Sequence, residues 1–434
     1  MRKNYQKKTA PAVIGDELVL PGAVNVAMAE IGGAVKEGLL ALAVATGLQV
    51  MGAMMEESVT VLAGPKGRHQ PDRRAVRHGS EAGSVVLGGR RVPVRRPRVR
   101  ATDGSGELPV EAYAVFTSSD LLGEVALERM MAKLSTRRYR AGLEPVGAEV
   151  EATARSTSKS SVSRRFVART ETALAELMAA DLSGLDVVAL MLDGVHFAGH
   201  CCVVALGITL DGTKVPLGVV EGDTENATVV KDLLADLRDR GVDVTRPVLV
   251  VIDGARALAT AVRAVFDQPV IQRCQLHKIR NVEAKLPKAM ASTVAKKMRA
   301  AYHDPDPLVA EATLEALARD LDRAHPGAAG SLREGLTETL TITRLRVPPT
   351  LARTLRSTNA IESMIEICRD HSSNVKRWRD GQMALRWCAA GMSEATKQFR
   401  RVNGHLHLAS LRKALDAHAT ENVTPACQDE EEAA

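Results

Sequence analysis

Aromatic residues are scarce in this chain of 434 residues, of which Phe, Trp and Tyr together make up 3%. A protein that holds single-stranded nucleic acid mainly by stacking bases on aromatic rings needs more of them. Long apolar runs are scarce as well. No segment approaches the roughly 20 apolar residues that span a bilayer, because Glu30, Lys36 and Glu37 interrupt the mildly apolar stretch 22–48. We therefore expect neither base stacking as the main binding mode nor a membrane partner.

Cysteine is equally sparse, and the six thiols lack the spacing of a disulfide framework or of paired CxxC motifs. Reduced thiols in a cytosolic protein are the simplest interpretation. The basic start MRKNYQKK is not followed by an apolar segment with a cleavage site, as a secretory signal would be. These features predict a cytoplasmic protein.

Positive charge is concentrated in one segment of the chain. The net charge is +6, and the segment from Lys66 to Arg100 holds eleven Lys and Arg against Asp72 and Glu81. Such a run is typical of an arm that contacts DNA phosphates, although a solvated or disordered surface segment has the same composition. The candidate DNA contacts are Arg90, Arg91, Arg95 and Arg96.

Changes in composition divide the chain into seven segments, in line with a length of two to four domains. The first, 1–65, is predicted to contain an amphipathic helix at 34–55 that serves packing or oligomerisation. In 66–110, two short strands, 85–87 and 92–94, flank Gly88-Gly89, and prolines confine them to a sheet edge. The others are 111–185, helical; 186–285, the first part of a core; 286–352, a helical insertion; 353–415, the last part of that core; and 416–434, an acidic tail.

Residues 152–166, ATARSTSKSSVSRRF, resemble the turn and second helix of a helix-turn-helix. Ser158 or Ser160 can cap a helix that turns Val162 and Phe166 inward. Such a helix fits a DNA major groove, but an ordinary Ser-capped surface helix has the same pattern. The candidate DNA contacts on it are Lys159, Arg164 and Arg165.

From residue 186 the pattern predicts an α/β fold. Two apolar runs joined by Asp211-Gly212-Thr213 form a hairpin, and a helix capped by Thr224 follows. The predicted strands are 186–192, 201–210, 214–220, 248–252 and 270–274, and the predicted helices are 224–240 and 255–266. The order β-β-β-α-β-α-β indicates a mixed sheet with helices on its faces.

Two Asp-Gly pairs close strands of this proposed sheet, in LMLDGVHF (190–197) and VVIDGARAL (250–258). One Asp-Gly pair is a common turn, but two carboxylates at one sheet edge suit a divalent metal ion. Asp193 and Asp253 are therefore candidate metal ligands.

A third carboxylate is needed to complete such a site, and the sequence leaves several choices. Glu362 lies beside the buried stripe of a helix that begins near Asn359, although Asn359-x-x-Glu362 also fits a capping box. Asp223 and Glu225 are rivals, since they lie between a strand and a helix. Spacing alone does not select among them.

Several motifs, in order, resemble the bacterial insertion-sequence transposases of the Mutator type. They are DGVHF (193–197), ALGITLDGTKVPLG (205–218), VVIDGARAL (250–258), QRCQLHKIRN (272–281) and STNAIES (357–363). The resemblance covers the chain from the basic segment to about residue 415. It implies a DDE transposase with a ribonuclease-H-like mixed sheet, a helical insertion before the last catalytic helix, and a mainly helical N-terminal DNA-binding region.

By this resemblance the catalytic and metal-binding triad is Asp193, Asp253 and Glu362. The family implies Mg²⁺, with Mn²⁺ as a possible substitute, and double-stranded DNA, both the inverted repeats at the element's ends and the target. Asp193 would hold both ions of a two-metal site, while water and then the freed 3′-OH attack phosphodiesters. Joining two ends in one complex implies a homodimer or a higher homo-oligomer, and DNA as substrate implies a nucleoid-associated protein.

Cys274-x-x-His277 matches a motif that this family carries after its second Asp. A structural zinc is not favoured, because no second ligand pair lies at the usual spacing. Cys274 is expected to be packed, and His277 either to contact DNA or to orient a carboxylate. Further candidate DNA contacts are Lys278, Arg280, Lys376 and Arg377.

Two rival classes remain: another ribonuclease-H-like nuclease or resolvase, and a domesticated transposase that regulates by binding DNA.

Overall fold

The structure is a computed structural model that describes residues 39–68, 73–144, 146–222 and 226–423. The chain divides into two compact units. The first comprises the described parts of 1–126 and 136–165, and the second those of 127–135 and 166–434. No helix within these described ranges is long and apolar enough to cross a membrane.

The segment up to residue 179 contains five α-helices and three strands within the described ranges. They are α1 (Leu39–Ala63), β1 (Ala75–Leu87), β2 (Arg90–Ala101), β3 (Glu107–Leu108), α2 (Glu111–Thr117), α3 (Ser119–Met131), α4 (Ala148–Thr153) and α5 (Lys159–Ala179). The helix predicted at 34–55 is found as α1, although its residues before 39 lie outside the described part. The sheet β1-β2-β3 corrects the expectation that this region is mainly helical.

The basic segment folds as a long antiparallel hairpin, with thirteen residues in β1 and twelve in β2. Gly88 and Gly89, at φ +53° and +73°, form the two-residue turn and are followed at once by the Leu87↔Arg90 pair. Only glycine, asparagine and aspartate readily take two positive φ values in succession. The prediction of two short strands was therefore right about the turn and wrong about the length.

The two prolines of β2 lie where this strand pairs on one side only. Pro93 and Pro97 stand opposite residues of β1 in the ladder. On the other edge of β2, strand β3 pairs only with Val99 and Arg100. The N–H of Arg91 points away from β1, to the carbonyl of Arg155, and alternate residues of a strand share that direction. Both prolines thus give up only outward donors, as predicted for a sheet edge.

The second unit contains a five-stranded mixed sheet of order β6-β5-β4-β7-β8. Its elements up to residue 273 are β4 (Val187–Phe197), β5 (His200–Thr209), β6 (Lys214–Gly222), α6 (Ala227–Asp239), β7 (Val248–Ile252), α7 (Arg256–Val265) and β8 (Pro269–Arg273). Strands β4, β5 and β6 are antiparallel, whereas β7 runs parallel to both β4 and β8. The predicted mixed sheet is confirmed.

The cap of α6 differs from the prediction. Asn226 accepts the N–H of Val229 at 2.9 Å and begins this helix. Thr224, the predicted cap, lies outside the described residues, as do the rival carboxylates Asp223 and Glu225.

After the sheet, the chain is helical within the described residues. The helices are α8 (Gln275–Glu283), α9 (Lys288–Tyr302), α10 (Pro307–Asp322), α11 (Pro326–Arg333), α12 (Leu336–Thr339), α13 (Thr341–Arg344), α14 (Pro349–Leu355), α15 (Asn359–Ser372), α16 (Gly381–Gln398) and α17 (Leu408–Val423). Pro307, Pro326 and Pro349 each stand at the first residue of a helix, where the missing N–H costs nothing. The rest of the predicted acidic tail, 424–434, lies outside the described part.

Apolar residues of β4 alternate between two cores. Met191 belongs to a core with α15 and α16, while Leu190 and Leu192 belong to a core with α6 and α7. Helices α8 to α12 enclose a third core, which includes Met298 and Leu314. The sheet is thus covered on both faces, and the insertion between α8 and α14 is packed around a core of its own.

Candidate active site

Asp193 and Asp253 lie at the same level of two neighbouring parallel strands. The last paired residues of β4 and β7 are Met191 and Val251, and each aspartate comes two residues later. Neighbouring strands are about 4.8 Å apart, and residues in register share one face. Met191 and Val251 both face the α15 core, so the two carboxylates face it as well.

The sequence prediction that Asp193 ends its strand was wrong. Strand β4 continues to Phe197, because Asp193 pairs with Val204 and the following residues pair with β5. Only the pairing of β4 with β7 stops before Asp193. Asp253 does follow β7 directly. The backbone of Asp193 is therefore paired with β5 on one side and unpaired on the side of β7.

Local hydrogen bonds hold both aspartates in place. Oδ1 of Asp193 accepts the N–H of Gly194 at 2.8 Å, and Oδ1 of Asp253 accepts the N–H of Ala255 at 2.8 Å. Among the described residues, Oδ2 of neither carboxylate accepts a hydrogen bond.

Glu362 lines the same cleft as Asp193. This cleft of about 690 Å³ is bounded chiefly by polar and charged side chains, among them Asp193, His277, Arg280, Glu362, Glu366 and Arg369. Ile361, Met364 and Ile365 form the buried stripe of α15 beside Glu362. The helix therefore anchors Glu362 at the edge of the sheet, as its spacing predicts.

The capping-box alternative for Glu362 is not what the structure contains. Thr358 precedes α15 and makes no side-chain cap to the helix backbone. Instead, its hydroxyl donates to Oε1 of Glu362 at 2.5 Å. The carboxylate is thus oriented by a side chain and points towards the cleft.

Cys274 and His277 form a network with Thr358 and Glu362. A sulfur, a ring nitrogen and a carboxylate oxygen of Cys274, His277 and Glu362 lie within 4.8 Å of one another. The Thr358 hydroxyl is 3.4 Å from both Cys274 Sγ and His277 Nδ1, and this nitrogen is 3.9 Å from Glu362 Oε1. Cys274 is buried, as expected. The role of Thr358 was missed, although its spacing of four residues from Glu362 places both on one helix face.

The site shifts the proton affinities of its members. Burial raises the pKa of Asp193 to about 7, and the charges of Asp253 and Glu362 add to this effect. The hydrogen bond with Cys274 raises the pKa of His277 to about 9, helped by Glu362. Burial alone would raise the pKa of Cys274, but hydrogen bonds from His277 and Thr358 outweigh it and lower that pKa. His277 is therefore a cation at neutral pH beside three carboxylates.

Two of the predicted DNA contacts are buried and paired. Arg90, 2% exposed, lies 2.7 Å from the Glu151 carboxylate. Nζ of Lys278 donates to the carbonyls of Ser331 and Glu334 at 2.7 and 2.5 Å. Both side chains bond to other parts of the fold and are not accessible to DNA phosphates, which corrects their prediction as DNA contacts.

The remaining predicted DNA contacts lie at the surface to different degrees. Arg95, Lys159, Arg164, Arg280, Lys376 and Arg377 are exposed, and Arg91, Arg96, Arg165 and His277 are half-buried. Arg96 pairs with Glu81 and Glu107, and Arg165 donates to the Ser156 carbonyl. Of this set, His277 and Arg280 line the cleft.

Residues 25–402 match the family model described as Transposase, Mutator family. The chain belongs to the Mutator family of transposases. It is 32% identical over 242 residues to the transposase for insertion sequence element IS6120 of Mycolicibacterium smegmatis, which covers 54% of this chain and 73% of the relative. It is 26% identical over 370 residues to the transposase for element ISRM5 of Rhizobium meliloti, which covers 84% and 89%.

Proposed function

We propose that this chain is a DDE transposase that cleaves DNA at the terminal inverted repeats of an insertion sequence and transfers the freed strand to a target. The observation that carries the proposal is one arrangement of three carboxylates. Asp193 and Asp253 lie at corresponding positions of neighbouring strands, and Glu362 lines the same cleft as Asp193. The names of the relatives, which are transposases for insertion sequence elements, agree with it.

The topology supports a ribonuclease-H-like core. Three antiparallel strands come first, followed by two parallel strands on the side of β4. One aspartate lies on the first strand and one after the fourth, and the glutamate is on a helix beyond the insertion. This is the order that a DDE transposase of this fold requires.

The donor set fits a hard divalent cation. Carboxylate oxygens on a rigid strand pair and a packed helix suit Mg²⁺, and Mn²⁺ accepts the same ligands. Asp193, Asp253 and Glu362 are the residues that would hold such a cation. Bound cations would lower the pKa of attacking water and offset charge on the leaving 3′ oxygen.

The chain's own groups prepare this chemistry. Asp193 must lose its proton before it can hold a cation, and Thr358 fixes the carboxylate of Glu362. His277, Arg280 and Arg369 place positive charge along the cleft, where phosphate oxygens of bound DNA can be held.

The proposal extends to partners that the site requires. Arg95, an exposed arginine of the hairpin, would contact duplex DNA at the element's ends. Lys159 and Arg164, at the start of α5, would do the same. Joining two ends in one complex requires at least a homodimer. A DNA substrate places the protein at the bacterial nucleoid in the cytoplasm.

The test uses the full-length protein, Mg²⁺ and a duplex that carries the repeats flanking the coding gene. We expect nicking at the repeat ends followed by joining to a second duplex. Asp193→Asn should reduce cleavage to below about a thousandth and leave binding of the duplex unchanged. The matched control is Asp320→Asn, which makes the same change at an exposed carboxylate of α10 outside the cleft and should keep activity.

Three outcomes would contradict the proposal in different ways. Cleavage retained in Asp193→Asn would remove the triad assignment. Cleavage without joining would favour a nuclease or resolvase. Binding of the repeats without any cleavage by the unaltered protein would favour a regulator.

A further inference from the structure

A second concave surface adjoins the first turn of α15, next to the part of this helix that lines the cleft. Three hollows, of about 200, 360 and 500 Å³, adjoin one another, and Arg353 of α14 lines all three. We call this surface the Arg353 face. The cleft takes Glu362 and Glu366 from α15, whereas the Arg353 face takes Asn359, Ala360 and Ser363. Since successive helical residues are about 100° apart, one helix serves two surfaces.

The charged residues of the Arg353 face are almost all basic. Its described lining includes one carboxylate, Asp304. One arginine of the lining, Arg401, lies 3.6 Å from the carboxylate of Asp211. The other basic residues of the lining are Lys214, Arg299, Arg346, Arg353, Arg356 and Arg400. The catalytic cleft differs, since Asp193, Glu362, Glu366 and Asp370 line it beside its basic groups.

These positive charges are not neutralised by the fold. Arg299, Arg353 and Arg400 are exposed, and none of them forms a salt bridge within the described residues. Arg333, elsewhere in the insertion, pairs with both Glu315 and Asp322. Burial and the charge of Arg353 lower the pKa of Arg356. An uncompensated cluster of arginines attracts an anion.

The chemistry of the Arg353 face fits the phosphate backbone of duplex DNA. Arginine binds phosphate through paired N–H groups, and Thr354, Asn359, Ser363 and Asn403 add neutral polar groups along the same hollows. The described lining holds no tryptophan or phenylalanine, and its one tyrosine, Tyr302, is buried, so it offers little for stacking unpaired bases. Phosphate contacts position DNA without reading its sequence.

We propose that the Arg353 face binds the phosphate backbone of a second duplex, the DNA into which the cleaved end is joined, whatever its sequence. The inference rests on the proposed function, because it assumes that the cleft holds the first duplex. It assigns the two surfaces that meet along α15 to the two DNA molecules of the joining step.

The test removes three charges that span all three hollows: Arg299→Gln, Arg353→Gln and Arg400→Gln in one variant. The control variant, Lys296→Gln, Lys297→Gln and Arg323→Gln, removes three exposed charges of the same unit outside these hollows. The probe for binding is a short duplex of random sequence, in EDTA. Each lost phosphate contact lowers the slope of log affinity against log salt by about 0.9.

For the Arg353-face variant we expect binding of the random duplex to weaken by about tenfold or more and the salt slope to fall by about 2–3. Cleavage of the flanking-repeat duplex should stay near normal, while joining to the random duplex should be lost. The control variant should match the unaltered protein in all three measurements.

The proposal is overturned if both variants weaken binding equally, since net charge alone then accounts for the loss. Unchanged binding and joining in the Arg353-face variant would also overturn it. Cleavage lost as strongly as joining would show that the face serves the first duplex instead. If the unaltered protein cleaves nothing, the proposed function fails, yet the binding and salt measurements still decide whether this face holds DNA.

Discussion

The hydroxyl of Thr358 donates a 2.5 Å hydrogen bond to Oε1 of Glu362, one turn further along α15. The same hydroxyl is 3.4 Å from Cys274 Sγ and from His277 Nδ1. One buried side chain therefore links the CxxH motif to the last carboxylate of the proposed triad. Because the hydroxyl directs its proton at this oxygen, it fixes how the carboxylate faces the cleft.

Replacing Thr358 with Val should raise the Mg²⁺ concentration needed for half-maximal cleavage by about tenfold, because a hydrogen bond to a charged group contributes about 1.5–3 kcal/mol. Thr358→Ser keeps the hydroxyl and should restore the Mg²⁺ dependence. A titration of cleavage rate with Mg²⁺ measures both. Equal behaviour of the Val and Ser variants would show that the hydroxyl does not position Glu362.

The burial of Asp193 should make the protein less stable as the pH rises. Its pKa is about 7 in the folded state and near 3.8 in the unfolded chain, so the folded state binds more protons between these values. Stability then falls through this window and is lowest above about pH 7. The free energy of unfolding of Asp193→Asn should therefore exceed that of the parent by about 1–3 kcal/mol at about pH 8. At about pH 4 the two should differ little.

Thermal unfolding without divalent cations, at both pH values, measures this effect. Glu366→Gln, at an exposed position of the same cleft, is the control and should show no such pH-dependent gain. A loss of stability in Asp193→Asn at about pH 8 would contradict the prediction.

Cation binding and protonation should compete at Asp193. Since the protonated carboxyl is a poor ligand, cleavage should fall as the pH drops below about 7. Raising the Mg²⁺ concentration roughly tenfold should move this acidic limb to lower pH by up to about one unit. Cleavage rates across pH at two Mg²⁺ concentrations test this, and a limb that does not move would assign it to another group.

Arg90 should matter for stability rather than for DNA binding. Its guanidinium is buried against Glu151, which is part-exposed and also pairs with Arg140. Replacing Arg90 therefore removes a charged hydrogen bond and buried packing but leaves no carboxylate without a partner. Arg90→Met should lower the local stability of β1 and β2 by about 1–2 kcal/mol. Hydrogen exchange of these strands in the full-length protein measures it. Arg100→Gln, an exposed change on the same strand, should leave exchange unchanged.

Much of the sheet was predictable, because its signals are local. The strand at 248–252 and the Asp211-Gly212 hairpin follow from apolar runs and turn residues. The continuation of β4 past Asp193 was not predictable, since Gly194 and His196 interrupt the apolar run and only pairing with β5 keeps the strand extended. Burial of Arg90 was hidden for a similar reason, because its partner is sixty-one residues away in the chain.

Glu362 shows most clearly where prediction from the sequence ends. Spacing alone allowed a capping box at Glu362, and Thr358 resolves that choice through a side chain whose contacts include Cys274, far earlier in the sequence. The side-by-side position of Asp193 and Asp253, by contrast, is predictable once the strands are known to be parallel, because each aspartate follows an apolar run of similar length.

The insertion lies between the second aspartate and the glutamate, which has a consequence for broken copies of the gene. A chain that stops within α9 to α13 carries the arginine-rich hairpin and both aspartates but no Glu362. Under the proposed assignment, such a fragment can occupy DNA and cannot cut it. The position of α15 late in the chain thus means that a shortened copy of the gene loses the proposed cutting site before it loses the hairpin's candidate DNA contacts.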